Sequence, residues 1–220
     1  MGKSDSLYKY TRLEFVGSCL NHGIYASSFT SLNDPYESEE ADSHNDFRVI
    51  CLSRSKNQKL MWSHYANGHR GCSLKIALPD DYGTPNCPFK RVEYKGSHFS
   101  RHGLSDDDYY NSLYIKDKKW SKELEVRGVY CPANANQPCW KKYRNNVYYR
   151  AKILQIDFGC LAHTDSHYLD ALIAIRDFNS TNKRKITVRK YMMSDSKYLF
   201  LIDNSYDYEK EIDKIVSKIP

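Results

Sequence analysis

The chain has 220 residues, of which 40% are hydrophobic and 27% charged, and a formal net charge of +6. That make-up belongs to a soluble globular protein, and the length suits one domain. No apolar run is long enough to span a bilayer, and the first six residues lack the apolar centre of a signal peptide, so membrane and exported proteins are set aside and a cytoplasmic location is expected.

The 7 cysteines include no Cys-x-x-Cys pair. In a reducing compartment they are expected to act as small apolar residues. The modest positive charge permits contact with nucleic acid or phosphorylated ligands without requiring it. The 19 tyrosines bring apolar area with a polar tip, which suits binding surfaces.

In chain order, Leu7 to Tyr10 reads as a strand. Thr11 and Glu14 then have the spacing of a capping box ahead of a helix through Leu13, Val16 and Leu20 that stops at Asn21-His22-Gly23. Ile24 to Ser27 returns as a strand. Ser31 to Glu37 is a turn in which Pro35 biases Asp34 away from the helical region. The acidic stretch Glu37 to Asp46 reads as a solvated loop, and Arg48 to Ser53 as a buried strand.

Leu60 to Cys72 puts Trp62, His64, Tyr65, His69 and Arg70 close together. Apolar Leu60, Met61 and Tyr65 fall at helical spacing, and Asn67-Gly68 supplies the stop. Cys72 to Ile76 leaves as an alternating strand. After an irregular connection over 79–88, Val92 to Tyr94 pairs briefly. A helix starts at Ser105 with acidic residues in its first turn and is expected to run through Ile115 to Lys119. Glu123 to Tyr130 alternates with a period of two and reads as the clearest strand. Val147 to Phe158 supplies strand-like material. Leu169 to Ile175 is helical with a cap near Thr164 or Ser166, Lys185 to Val188 and Tyr198 to Ile202 are strands, and Tyr208 to Ile219 is an amphipathic helix. The irregular alternation of strands and helices predicts a single α+β domain over 1–220, with a mixed or antiparallel sheet and flanking helices.

Three constellations could carry chemistry. On a strand, Glu123, Glu125 and Arg127 share one face. Two carboxylates side by side with an arginine can orient a ribose hydroxyl and stabilise a developing cationic sugar. The stretch around Trp62 offers an aromatic platform of Trp62 and Tyr65, with His64 and His69 as donors to a phosphate or ribose. The spacing of His64, His69 and Cys72, even with Cys51 or His44 added, fits no zinc motif, and no metal site is expected there. Third, Trp140 to Lys152 interleaves rings with Lys141, Lys142, Arg144 and Arg150, and Lys183 to Lys185 and Arg189-Lys190 form a second basic segment. Cations between rings suit single-stranded nucleic acid.

The series Tyr8-Lys9-Tyr10, Ile24-Tyr25-Ala26-Ser27, Leu32-Asn33-Asp34-Pro35-Tyr36-Glu37, Cys51-Leu52-Ser53, Met61-Trp62-Ser63-His64-Tyr65-Ala66 with His69 and Gly71, and Trp120 with Glu123, Glu125 and Arg127 resembles a widespread bacterial family described only as a domain of unknown function. The likeness covers roughly residues 7–160 and leaves 161–220 to complete the domain. More distantly, the order of strands and the late glutamates resemble the ADP-ribosyltransferase fold, including toxins that modify nucleic acid.

That resemblance implies NAD as cofactor, a toxin or phage-defence role, an antitoxin or operon partner, and Glu125 or Glu123 as the catalytic carboxylate. It also implies Lys9 or Tyr10 as the first-strand grip on ribose or pyrophosphate, with Ser27 or Ser28 on the second strand and Arg127 beside the glutamates. Here Thr11 follows Tyr10 where members often have Arg, so Arg12 would serve in a shifted frame. His64, Tyr65 and His69 would be additions lining the site. Two rivals follow from the residues themselves. One is a nucleic-acid-binding module without chemistry, and the other a Mg²⁺ nuclease using Asp34, Glu37, Glu123 or Glu125.

Overall fold

The computed structural model describes residues 6–38, 46–77, 80, 82, 84, 87–97, 100–101, 103–194 and 200–218. His44, most of the acidic loop and half of the connection over 79–88 lie outside them. The strands are β1 (Leu7–Thr11), β2 (Ile24–Tyr25), β3 (Arg48–Ser53), β4 (Cys72–Ile76), β5 (Phe89–Arg91), β6 (Glu93–Lys95), β7 (Ile115–Asp117), β8 (Glu125–Tyr130), β9 (Trp140–Tyr143), β10 (Asn146–Tyr149), β11 (Ile153–Phe158), β12 (Thr187–Met193) and β13 (Phe200–Ile202). The helices are α1 (Val16–His22), α2 (Pro35–Ser38), α3 (Lys59–Tyr65), α4 (Asp106–Ser112), α5 (Tyr168–Thr181) and α6 (Tyr208–Val216). The protein is α+β, with a mixed sheet and flanking helices.

By its internal contacts the chain forms two compact units, both discontinuous in sequence: residues 1–21, 55–77 and 152–220, and residues 22–54 and 78–151. In the first, strands run in the order β13-β12-β11-β4-β1. Only β11 and β12 are parallel among these pairs. Residues directly opposite on paired antiparallel strands share a face. Tyr10 opposes Ser73, which opposes Asp157. On this face Tyr8, Tyr10, Met61, Trp62, Ala66 and Tyr191 form one buried cluster. The other face carries Cys72, Leu74, Ile156 and Phe158, all fully buried. Phe158 meets Tyr168 of α5 edge-on at 5.3 Å. Asp157 is buried but complete: Gln155 Nε2 donates to both its oxygens, and Arg189 Nε donates at 2.8 Å.

The second unit holds the antiparallel sets β3-β8-β5 and β2-β10-β9 and the parallel pair β6-β7. Phe29, Val49, Tyr109, Leu113, Tyr114 and Val129 form its apolar core. Gly23 leaves α1 at φ +103°, and a Cβ there would lie 2.1 Å from the Tyr149 carbonyl oxygen. Only glycine allows both that turn and that approach.

Several sequence expectations are corrected. Thr11 ends β1 instead of capping a helix; Arg12 precedes a 3-10 turn over Leu13–Phe15 with no side-chain cap. Ile115 to Lys119 does not continue α4. It holds β7, whose partner β6 lies far enough back in sequence to leave no local signal. The strand expected from Glu123 starts at Glu125, because Lys118–Glu123 is a 3-10 helix closed by Leu124 at φ 49°. The material from Val147 to Phe158 is two strands that belong to different units. The helix α5 has no side-chain cap at His167.

Candidate functional site

The second unit contains a buried charge cluster built from four short segments. β8 is buried at every residue, so its charged face is shielded from solvent. Glu125 and Arg127 lie on the same side of β8, as alternation requires. Glu123 joins them by another route. The left-handed Leu124 turns the chain into β8, and Ser53 Oγ donates to the Glu123 carbonyl at 2.7 Å, which holds the junction against β3. β7 supplies Lys116, and the short helix α2 supplies Glu37.

The geometry is closely specified. Lys116 Nζ donates to Glu123 Oε2 at 2.8 Å and to Glu125 Oε2 at 3.2 Å, and lies 3.8 Å from Glu37 Oε2. Arg127 Nε donates to Glu125 Oε1 at 2.7 Å, Nη1 to the Leu113 carbonyl at 2.7 Å, and Nη2 to Glu37 Oε2 at 2.9 Å. The Lys116 ammonium also sits 4.9 Å from the centre of the Trp120 ring. Arg127 is wholly buried, Glu123 2% exposed and Glu125 4% exposed. Buried charges persist only when paired and hydrogen-bonded, and this network meets that condition for both cations.

The electrostatics follow from these contacts. Burial pushes the Glu125 carboxyl up, but Arg127 and Lys116, with hydrogen bonds from Arg127 and the Cys51 thiol, outweigh it and hold the group at about 2. Burial works against the charge on Lys116 and on Arg127, and the surrounding glutamates raise both well above their ordinary values. Tyr94 accepts the Glu125 backbone N–H through its hydroxyl at 2.8 Å, and burial pushes that phenol up to about 12. Three glutamates against two cations leave a formal charge of −1.

A cleft of about 150 Å³ opens beside the cluster, lined by Asp34, Tyr36, Glu37, Arg101, Lys116 and Lys119 among others. Glu37 and Lys116 are thus the members of the cluster that face it. Arg101 Nη2 is fixed by the carbonyls of Ser112 and Ile115 at 3.2 and 3.0 Å. Asp34 Oδ1 accepts from the Tyr36 N–H at 3.1 Å, so the Asn-Asp-Pro turn starts the helix that presents Glu37.

The structure brings Glu123, Glu125 and Arg127 together, as expected. Lys9, Tyr10, Arg12, His64, Tyr65 and His69 belong to the first unit. Alternation along β1 sets Lys9 and Tyr10 on opposite faces. The Tyr10 ring meets Trp62 edge-on at 5.2 Å and its hydroxyl donates to the Ser55 carbonyl. Arg12 is exposed and lies 3.6 Å from Glu14. His69 stacks on Trp62 at 6.2 Å and packs on Phe200 at 4.6 Å. His64 is exposed, and its ring centre lies 6.3 Å from that of Tyr65. Ser27 makes an isolated bridge with Val49 in the second unit.

Lys116, Arg101 and Tyr36 were not singled out from the sequence. Lys116 was hidden by the expectation of a continuing helix, whereas Asp34, Tyr36 and Glu37 all sat in one motif that could have pointed to the cleft. Comparison with protein-family models, curated proteins and solved structures gives no match to this chain. Among the described residues no helix is long and apolar enough to cross a membrane.

Proposed function

We propose that the protein is an NAD-consuming enzyme of the ADP-ribosyltransferase type, acting as a toxin or defence effector, with its chemistry at the Glu37-Lys116 cleft. The observation that carries the reading is a buried, formally negative cluster of three glutamates whose Glu37 faces an open cleft. Departure of nicotinamide breaks the C1′–N bond and leaves positive charge on the ribosyl carbon. Fixed carboxylates in a poorly solvated site stabilise such charge without reorganising.

In this reading Glu37 is the carboxylate that touches the sugar. Glu123 and Glu125 become positioning residues that hold Lys116 and Arg127, and through them Glu37. This revises the expectation that Glu125 or Glu123 is itself catalytic. Lys119, exposed at the cleft wall, is the cation proposed to meet the diphosphate. The rival nuclease reading needs a divalent cation between these carboxylates. Lys116 Nζ, within 3.8 Å of all three, occupies that position. The test is release of nicotinamide from labelled NAD in the presence of nucleic acid or lysate protein. Glu37→Gln is expected to reduce it by about 100-fold or more, the scale of losing one electrostatic stabiliser. An unchanged rate overturns the reading, and turnover that instead requires Mg²⁺ and is abolished by chelation favours the nuclease.

A further inference from the structure

The basic and aromatic run of residues 140–150 folds into the hairpin β9-β10, with β2 added on its other edge. The register sorts its side chains into two faces. Ile24, Tyr149 and Trp140 share the inner face, where Trp140 meets Tyr130 at 5.6 Å and Tyr149 meets Phe89 at 4.7 Å. Tyr25, Tyr148 and Lys141 lie opposite one another on the outer face, followed two residues on by Tyr143 and Asn146.

On that outer face the rings touch in turn, with Tyr148 only 7% exposed between its neighbours and His22 of α1 packed against it. Tyr25 meets Tyr148 at 5.7 Å, Tyr148 lies 5.6 Å from His22, and His22 stacks on Tyr143 at 4.3 Å with planes 17° apart. The two ends of the row are open, with Tyr25 45% and Tyr143 39% exposed, although apolar area of this size is normally drawn inward. Cations follow the row. Lys141 stands within it, Arg144 lies over the Tyr143 ring at 5.5 Å, and Arg150 is exposed just past the end of β10.

We infer that this three-stranded sheet face binds single-stranded nucleic acid, with bases stacked on Tyr143 and Tyr25 and phosphates running along Lys141, Arg144 and Arg150. Tyr25 and Tyr143 keep ring surface in solvent on one sheet face, every base offers a π-face, and the cations match a polyphosphate backbone. A folded duplex would hide its bases from such a row, and an acidic peptide would have no use for the rings. The inference stands whether or not the protein consumes NAD.

The test is fluorescence anisotropy of the full chain with labelled 12-nucleotide DNA and RNA, competed by duplex and by an abasic strand of the same length. Binding is expected to weaken with salt with a log-log slope of roughly −1.4 to −2.8, for two to four phosphate contacts. Tyr143→Ala and Tyr25→Ala are each expected to weaken it by about fivefold or more, while Tyr143→Phe retains it. Both rings are exposed, so circular dichroism and Tm are expected to match the wild type and separate binding from folding. Preference for RNA over DNA, or the reverse, identifies the natural strand and leaves the inference standing. Equal affinity for the abasic strand, a preference for duplex, tyrosine variants that bind like wild type, or no binding at 50 mM salt (a condition low enough to reveal phosphate contacts) would each overturn it.

Discussion

Two sites that look equally suggestive in the sequence are built on opposite principles. Around Trp62, the first unit buries Tyr8, Tyr10, Met61, Ala66 and Tyr191 as a cluster of rings and small apolar groups. Around Arg127, the second unit buries three glutamates, a lysine and an arginine. The first cluster is held by contact area, and Trp62 Nε1 is buried there with no hydrogen-bond partner among the described residues. The second is held by directional ion pairs, and each member exists only because the others do. A buried charge network of this kind costs desolvation that its pairing must offset. The proposal of chemistry at the glutamates, with the Trp-Ser-His-Tyr stretch as scaffold, rests on that contrast.

The contrast is sharpest under Arg127→Met. It removes the partner of Glu125 and Glu37 and leaves buried carboxylates uncompensated, so a loss of about 3–5 kcal/mol is expected in urea unfolding. A loss below about 1 kcal/mol would mean that water reaches the cluster and that it is not a dry site.

Acid gives the next largest effect. Glu125 is held at about 2 in the folded protein, against an ordinary value of 4.5. Because the folded value is depressed, the stability it contributes is present above about pH 4.5 and lost as pH falls toward 2. The contribution is on the order of 3 kcal/mol. Denaturant unfolding at pH 7, 4 and 2.5 is expected to show this loss, and Glu125→Gln to remove that part of the slope. A slope in that window that Glu125→Gln leaves untouched would assign the acid sensitivity to other carboxylates.

The smallest effect is expected in the aromatic cluster. Trp62→Phe loses ring area but also deletes a buried N–H with no partner among the described residues, and the net cost is expected to be about 1 kcal/mol. A Tm shift equal to that of Arg127→Met would erase the distinction between the two regions.

Much of the fold was legible where signals are local. β1, β3 and β4 are short β-rich runs, and α3 stops where expected because Asn67, Gly68 and His69 all take positive φ. The errors fall where distant partners decide. Ile115 to Asp117 is a strand because β6 pairs with it, and Glu123 leaves the strand because Leu124 adopts φ 49° at the junction held by Ser53. The candidate site was half legible. Alternation on β8 brought Glu125 and Arg127 together, and Glu123 converged on them although it is not in the strand. Lys116 and Glu37 arrive from other segments, and no spacing rule reaches across 90 residues to pair Glu37 with Arg127. The basic run was seen as a linear string of charge. Its division into a ring-bearing outer face and a packed inner face depends on hairpin register.

The most direct test of the central claim is nicotinamide release from NAD by the wild-type chain and by Glu37→Gln, with both variants shown to be folded by circular dichroism. Release by the wild type is expected, at a rate at least about 100-fold higher than that of Glu37→Gln. Equal rates for the two, or no release by the wild type with any nucleic-acid or protein acceptor, would contradict it.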